Sequence, residues 1–232
     1  MRNWLAFTGE LIVAPTGAFS RLSPASHWIP PPLFAVVLAA AVHAASVPFT
    51  VALVQRLSVS ASADALAGLE RWLLRIAVVR GGWVAVKAGF ICWVLWLTIN
   101  LKGESVRARL LMMIAAYASV AFVAEDALRL CVSWLRGIEQ IRGPQDLQSF
   151  TGLDAFIPTR DMGLVGRLAL AQISLFSLWF VTILRGGLVG LGGIRSRSAT
   201  VTAVLCWGYL FVLQMGMAFV VSSVQAPGQA SN

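Results

Sequence analysis

A chain of 232 residues that is 58% hydrophobic and only 12% charged lacks the charged surface of a soluble domain, which runs at roughly 45–50% apolar and about 25% charged. A mean hydropathy of +0.79 agrees, and the length leaves room for one membrane domain and no second domain of ordinary size. The net charge of +8 does not indicate nucleic acid. The basic residues stand singly at the ends of apolar runs, as Arg107 and Arg109 or Arg195 and Arg197 do, and no basic face carries interleaved aromatics. Such positions suit topology signals and contacts to anionic lipid headgroups.

The expected fold class is an all-α membrane protein, a bundle of about five transmembrane helices with an N-terminal interfacial helix and an amphipathic helix between spans 1 and 2. Residues 1–30 read as the N-terminal interfacial amphipathic segment. They carry Glu10, Pro15 and Arg21 and lack the unbroken apolar core of a cleaved signal peptide. Trp4, Phe7 and Leu11 recur at helical spacing, Pro15 interrupts, and a second turn follows with Phe19 and Leu22 apolar. Such a segment either lies in the membrane surface or packs on the protein's own helices.

Residues 31–223 form the transmembrane domain, with spans expected at about 33–53, 83–101, 110–132, 166–184 and 199–221. Pro30-Pro31-Pro32 is a stiff entry to the first span, since the first amides of a helix need no partner. Inside that span His43 stands among alanines, where a helix–helix hydrogen bond is expected, and Pro48 is placed to kink or end the helix. Between Gln55 and Gly82, Leu66, Leu69, Leu73 and Ile76 make an apolar stripe opposite Asp64, Arg71 and Arg75. Gly81-Gly82 is the expected end of this surface helix.

Lys87 stands near the start of the second span, where it can snorkel. In the third span Glu125 and Arg129 are four apart and Asp126 and Arg129 three apart, so both pairs can meet on one helix face. At the bilayer centre each charge would cost roughly 3 kcal/mol. Arg136 to Gly163 reads as a loop. The run from Arg185 to Arg195 is rich in glycine but lacks the lysine and the strand of a phosphate-binding loop. Its glycines fit close backbone approach or a broken helix end. Residues 224–232 carry no charge and read as a disordered tail. The three cysteines, Cys92, Cys131 and Cys206, sit far apart in apolar runs without metal-ligand spacing and read as small buried residues.

The two short links after the second and fourth spans are densely basic, which puts them and the N-terminus in the cytoplasm and the C-terminus outside. Arg71 and Arg75 on the outer side run against that arrangement.

Several motifs resemble the bacterial branch of the Yip1 family of five-span membrane proteins. They are the opening LIVAPTGAFSRLSP with Pro15 and Phe19, Trp28 just before the first span, and the pattern from Leu178-Trp179 to Gly187. The likeness runs over about residues 10–223, while the DLYGP and GY signatures of the eukaryotic members are missing. The resemblance implies a bacterial inner-membrane scaffold or adaptor without enzymatic activity, with an ABC-type exporter as a partner class.

The residues lead to a similar place. A zinc protease needs His-Glu-x-x-His, and the only histidines are His27 and His43. No nucleophile stands beside His43 for serine chemistry. No catalytic residue, cofactor or metal is therefore expected. A non-catalytic accessory or scaffold subunit, held in the lipid bilayer beside another membrane protein or complex, is the first expectation. The alternative is a small transporter or channel whose polar path uses Glu125, Asp126, Arg129, His43, Gln172 and Gln214.

Overall fold

The structure is a computed structural model that describes residues 10–11, 13–22, 30–57, 62–137, 139, 152–153, 156–157 and 164–225. Most of the predicted N-terminal helix, most of the loop 136–163 and the tail from 226 lie outside the described residues. The described chain is all-helical: α1 (Pro15–Ser20), α2 (Pro30–Leu57), α3 (Ala63–Leu101), α4 (Ala108–Arg136), α5 (Leu164–Gln172), α6 (Leu175–Gly190) and α7 (Ser196–Gln225). Of these, the 4 helices α2, α3, α4 and α7 are long and apolar enough to cross a membrane.

Helix α4 is the axis of the bundle. From Leu111 to Ala121 it is buried almost all round, as expected of a helix enclosed by others. Its alanines at 115, 116, 118 and 121 keep it slim, and α2, α3 and α6 all pack against it. The glycines of α6 carry this further. A Cβ on Gly187 would stand 2.8 Å from Ile114 of α4, and one on Gly186 or Gly190 would stand 2.9 Å from the backbone of Thr16 in α1. The close-approach reading of this run therefore holds, and its far end turns at Gly193 with φ +66°.

The 6 residues of α1, begun by Pro15 after the non-helical Ala14, fill the space those glycines leave. Phe19 is fully buried and meets Tyr117 edge-on at 5.6 Å, and Leu11 is buried beside it. The described part of the N-terminal segment thus packs on the protein's own helices, one of the two arrangements its pattern allows.

Two breaks differ from those expected. Gly81-Gly82 does not end a helix. The amphipathic stretch and the second span are one α-helix of 39 residues, about 58 Å long against roughly 30 Å of hydrocarbon. Gly81 is instead a contact point, because its hydrogen lets α2 approach to where a Cβ would stand 2.8 Å from both the Val36 carbonyl oxygen and the Ala40 Cβ. The real ends of α3 carry the expected chemistry. Ser62 accepts from the Ala65 amide at the start. At the finish Gly103 (φ +70°) donates to Asn100 O and Glu104 N to Ile99 O, the paired bonds of a Schellman turn.

The second difference lies in the fourth predicted span, which is broken between α5 and α6. Ser174 and Ser177 exchange side-chain and backbone hydrogen bonds at 3.1 and 3.2 Å, a capping box that starts a new helix. The Ile173 carbonyl accepts from Leu153 N outside the helix. Helix α6 has 16 residues, about 24 Å of length. Of the two expectations for Pro48, a kink or an end, the end is excluded, since α2 runs on to Leu57.

The α2–α3 hairpin is offset against the bundle. Gly81 faces Val36 and Ala40, so the half of α2 beyond Ala40 lies beside the amphipathic half of α3 and the last turns of α4, where Phe49 meets Trp134 at 6.4 Å.

Candidate functional site

At this end of the bundle α2, α3 and α4 enclose a cleft of about 280 Å³ lined by His43, Ser46, Phe49, Thr50, Arg80, Asp126, Arg129, Leu130 and Ser133. A second cleft of about 190 Å³ opens between α2 and α3 and shares His43, Ser46, Thr50 and Arg80 with the first. The hydroxyls are tied to their own helices: Ser46 Oγ donates to His43 O at 2.7 Å, Thr50 Oγ1 to Ser46 O at 3.0 Å and Ser133 Oγ to Arg129 O at 2.8 Å. Toward a ligand these oxygens therefore act as acceptors.

His43 is tied in the same way. Its Nδ1 donates to Ala39 O at 2.9 Å, one turn back on its own helix, and not to a neighbouring helix as its sequence position suggests. A carbonyl oxygen only accepts, so Nδ1 carries the proton and Nε2 is left for the cleft.

Of the two expected ion pairs, Glu125–Arg129 forms, at 2.8 Å, with the side chains 12% and 27% exposed. Asp126 makes no ion pair within 4 Å among the described residues; it lies within electrostatic range of Lys87, as Glu125 does more weakly. Lys87 is not the snorkelling residue of a helix start. It stands well inside α3, with its ammonium 5.7 Å from the centre of the Phe122 ring.

Gln214 lines a neighbouring, largely apolar groove of about 370 Å³ between α3 and α7, together with Lys87, Trp83, Val86, Phe90, Leu210 and Leu213. Its Oε1 is buried and has no hydrogen-bond partner among the described residues. Gln172 stands apart at the end of α5, next to the Ser174 break. The structure thus gathers His43, Glu125, Asp126 and Arg129, sets Gln214 beside them and leaves Gln172 out.

Sequence reasoning missed Arg80 and Lys87 as members of this constellation. The signal was present: the two are seven residues apart and share a face if α3 is continuous. Reading Gly81-Gly82 as a helix end assigned them to different elements.

Among the described residues, Leu95, Ile99, Leu111, Ile114, Phe180 and Leu184 follow as one buried apolar cluster. The buried hydroxyls of that stretch, Thr98 and Ser119, donate to carbonyls of their own helices. At the opposite end two basic residues, Lys102 and Arg185, are tied to the start of α7. Lys102 Nζ donates to Thr202 Oγ1 at 2.8 Å and to Ser198 O at 3.3 Å, and Arg185 reaches Ser196 and Thr200. Two of the cysteines, Cys92 and Cys206, are buried as expected, whereas Cys131 is exposed on the outer side of α4.

No protein-family model matches the chain, and no curated protein or solved structure shows a significant likeness to it.

Proposed function

We propose that this chain is a non-catalytic accessory or scaffold subunit of a bacterial inner membrane, acting beside another membrane protein such as an ABC-type exporter. The carrying observation is the buried apolar cluster through Leu95, Ile99, Leu111, Ile114 and Phe180, which lies between the charged end and the basic end. A channel needs polar groups along its length, and among the described residues these apolar side chains part the two polar ends. The Yip1-like motifs point to the same class of role. In this reading α6 supplies a fifth, short crossing, the ends at Lys102–Arg109 and Arg185–Arg197 face the cytoplasm with the N-terminus, and the charged cleft opens on the outer side. The test is a mild-detergent pull-down of the tagged chain from native membranes with mass spectrometry of its companions. A stoichiometric membrane partner supports the reading, and recovery of the chain alone refutes it.

A second reading, a small transporter, draws on one observation: Glu125, Asp126, Arg129 and Lys87 are partly buried charges within the span region. It requires flux in reconstituted vesicles that Glu125→Gln abolishes.

A further inference from the structure

Two charged clefts and an apolar groove follow one another along α3. Arg80 divides the charged clefts at the outer end. Lys87, seven residues on and about 10 Å deeper, stands in the apolar groove between α3 and α7. Trp83 lies between them, one turn from each, and forms the mouth of that groove.

Among the described residues, Arg80 shares its cleft with Asp126 and Arg129, and Arg129 is bound to Glu125. Arg80 has no acidic side chain within 4 Å among the described residues, which leaves its guanidinium open to an anion. Arg80 also occupies a particular depth. The charged, amphipathic half of α3 ends with it, and the uncharged run interrupted only by Lys87 begins at Gly81. The 21 residues from Gly81 to Leu101 span about 31 Å, the thickness of the hydrocarbon. Arg80 therefore marks the boundary between the charged and the apolar half of α3.

We infer that this face binds one anionic phospholipid. Its phosphate sits on the Arg80 guanidinium, whose fork of donors matches two phosphate oxygens. One acyl chain lies past Trp83 in the groove walled by Val86, Phe90, Leu210 and Leu213. The Lys87 ammonium and the Gln214 amide line that groove and can donate to the ester carbonyls of the lipid. A free phosphate ion would make no use of the apolar groove. A zwitterionic lipid would bring an ammonium group toward Arg80 and lose part of the attraction.

The test is native mass spectrometry of the full chain with equimolar phosphatidylglycerol and phosphatidylcholine of identical acyl chains, repeated with inorganic phosphate as a soluble competitor. The expected result is one phosphatidylglycerol retained per chain with a preference of about five-fold, the effect of one well-placed cation at an anionic headgroup. In Arg80→Gln the preference disappears; in Arg75→Gln, whose charge lies on the exposed amphipathic face, it remains. Leu210→Trp, which fills the groove, lowers retention of both lipids. Equal retention of both lipids by the wild type, or an unchanged preference in Arg80→Gln, overturns the inference. So does displacement of the lipid by millimolar phosphate, which would identify a site for soluble phosphate.

Discussion

The bundle around α4 and the outer hairpin half of α2 and α3 are built from similar residues and packed by different rules. Around α4, glycines and alanines let backbones touch, and the large side chains Phe19, Phe180, Ile114 and Leu184 are enclosed. In the outer half of α3 only Ala77 and Gly81 are buried, while Trp72, Leu74, Val78 and Val79 stay exposed. The first region tolerates no added atoms because there is nowhere for neighbours to retreat. The second is held at one narrow crossing and carries its polar groups on the surface. Packing density thus separates the part that maintains the fold from the part left to meet lipid, ligand or partner.

The difference is easiest to break at α6. Gly186→Leu and Gly190→Leu would each drive a side chain into the backbone of α1, and a loss of about 3 kcal/mol is expected, the upper range for overpacking a tight site. Thermal unfolding in detergent followed by size-exclusion fluorescence measures it, and an unchanged midpoint would show that α1 is not seated there. Gly81→Leu should cost less, about 2 kcal/mol, because the hairpin can part without disturbing α4. Cysteine cross-linking across α2 and α3 should then fall while the core unfolds nearly as before.

Removing one partner of the half-buried Glu125–Arg129 pair comes next. Arg129→Ala should destabilise by about 1–2 kcal/mol, between the values for exposed and fully buried pairs. A Glu125→Ala/Arg129→Ala double variant should recover part of that loss, and additivity in the cycle with both single alanine variants would show that the two side chains do not interact. The smallest effect sharpens the comparison most. Gly82 lies inside a helix with open space around it, so Gly82→Ala should stabilise by about 1 kcal/mol. Gly103→Ala, at φ +70°, should destabilise by about the same amount. If Gly82→Ala destabilises, α3 is two helices.

Much of this was legible in the residues. Apolar length located the four long helices, because crossing hydrocarbon demands about 20 apolar residues whatever the packing. Glu125 and Arg129 were readable as a pair since i,i+4 spacing alone brings them together. Pro15 marked the start of α1, and the glycine run announced close contact. The rest depended on partners that a single chain does not display. A Gly-Gly pair is the same string whether it ends a helix or admits a neighbour, and only Val36 and Ala40 decide which. The Ser174–Ser177 box was hidden inside an apolar stretch that reads as continuous. His43 bonds to Ala39 O, one turn back on its own helix, and that choice of acceptor is not written in the residue spacing. Lys87 became part of the charged site only once α3 was whole.

The unbroken α3 has a mechanical meaning. Its close contact at Gly81 lies near the midpoint, with 18 residues of helix on one side and 20 on the other, arms of about 27 and 30 Å. The two arms are held unequally. The inner one is buried through Ile91, Leu95 and Ile99 and is pinned at its tip by the Lys102 bonds to Ser198 and Thr202. The outer one is a cantilever clamped at Gly81, and a bend of about 10° there would displace the Ser62 tip by about 5 Å while the core stays still.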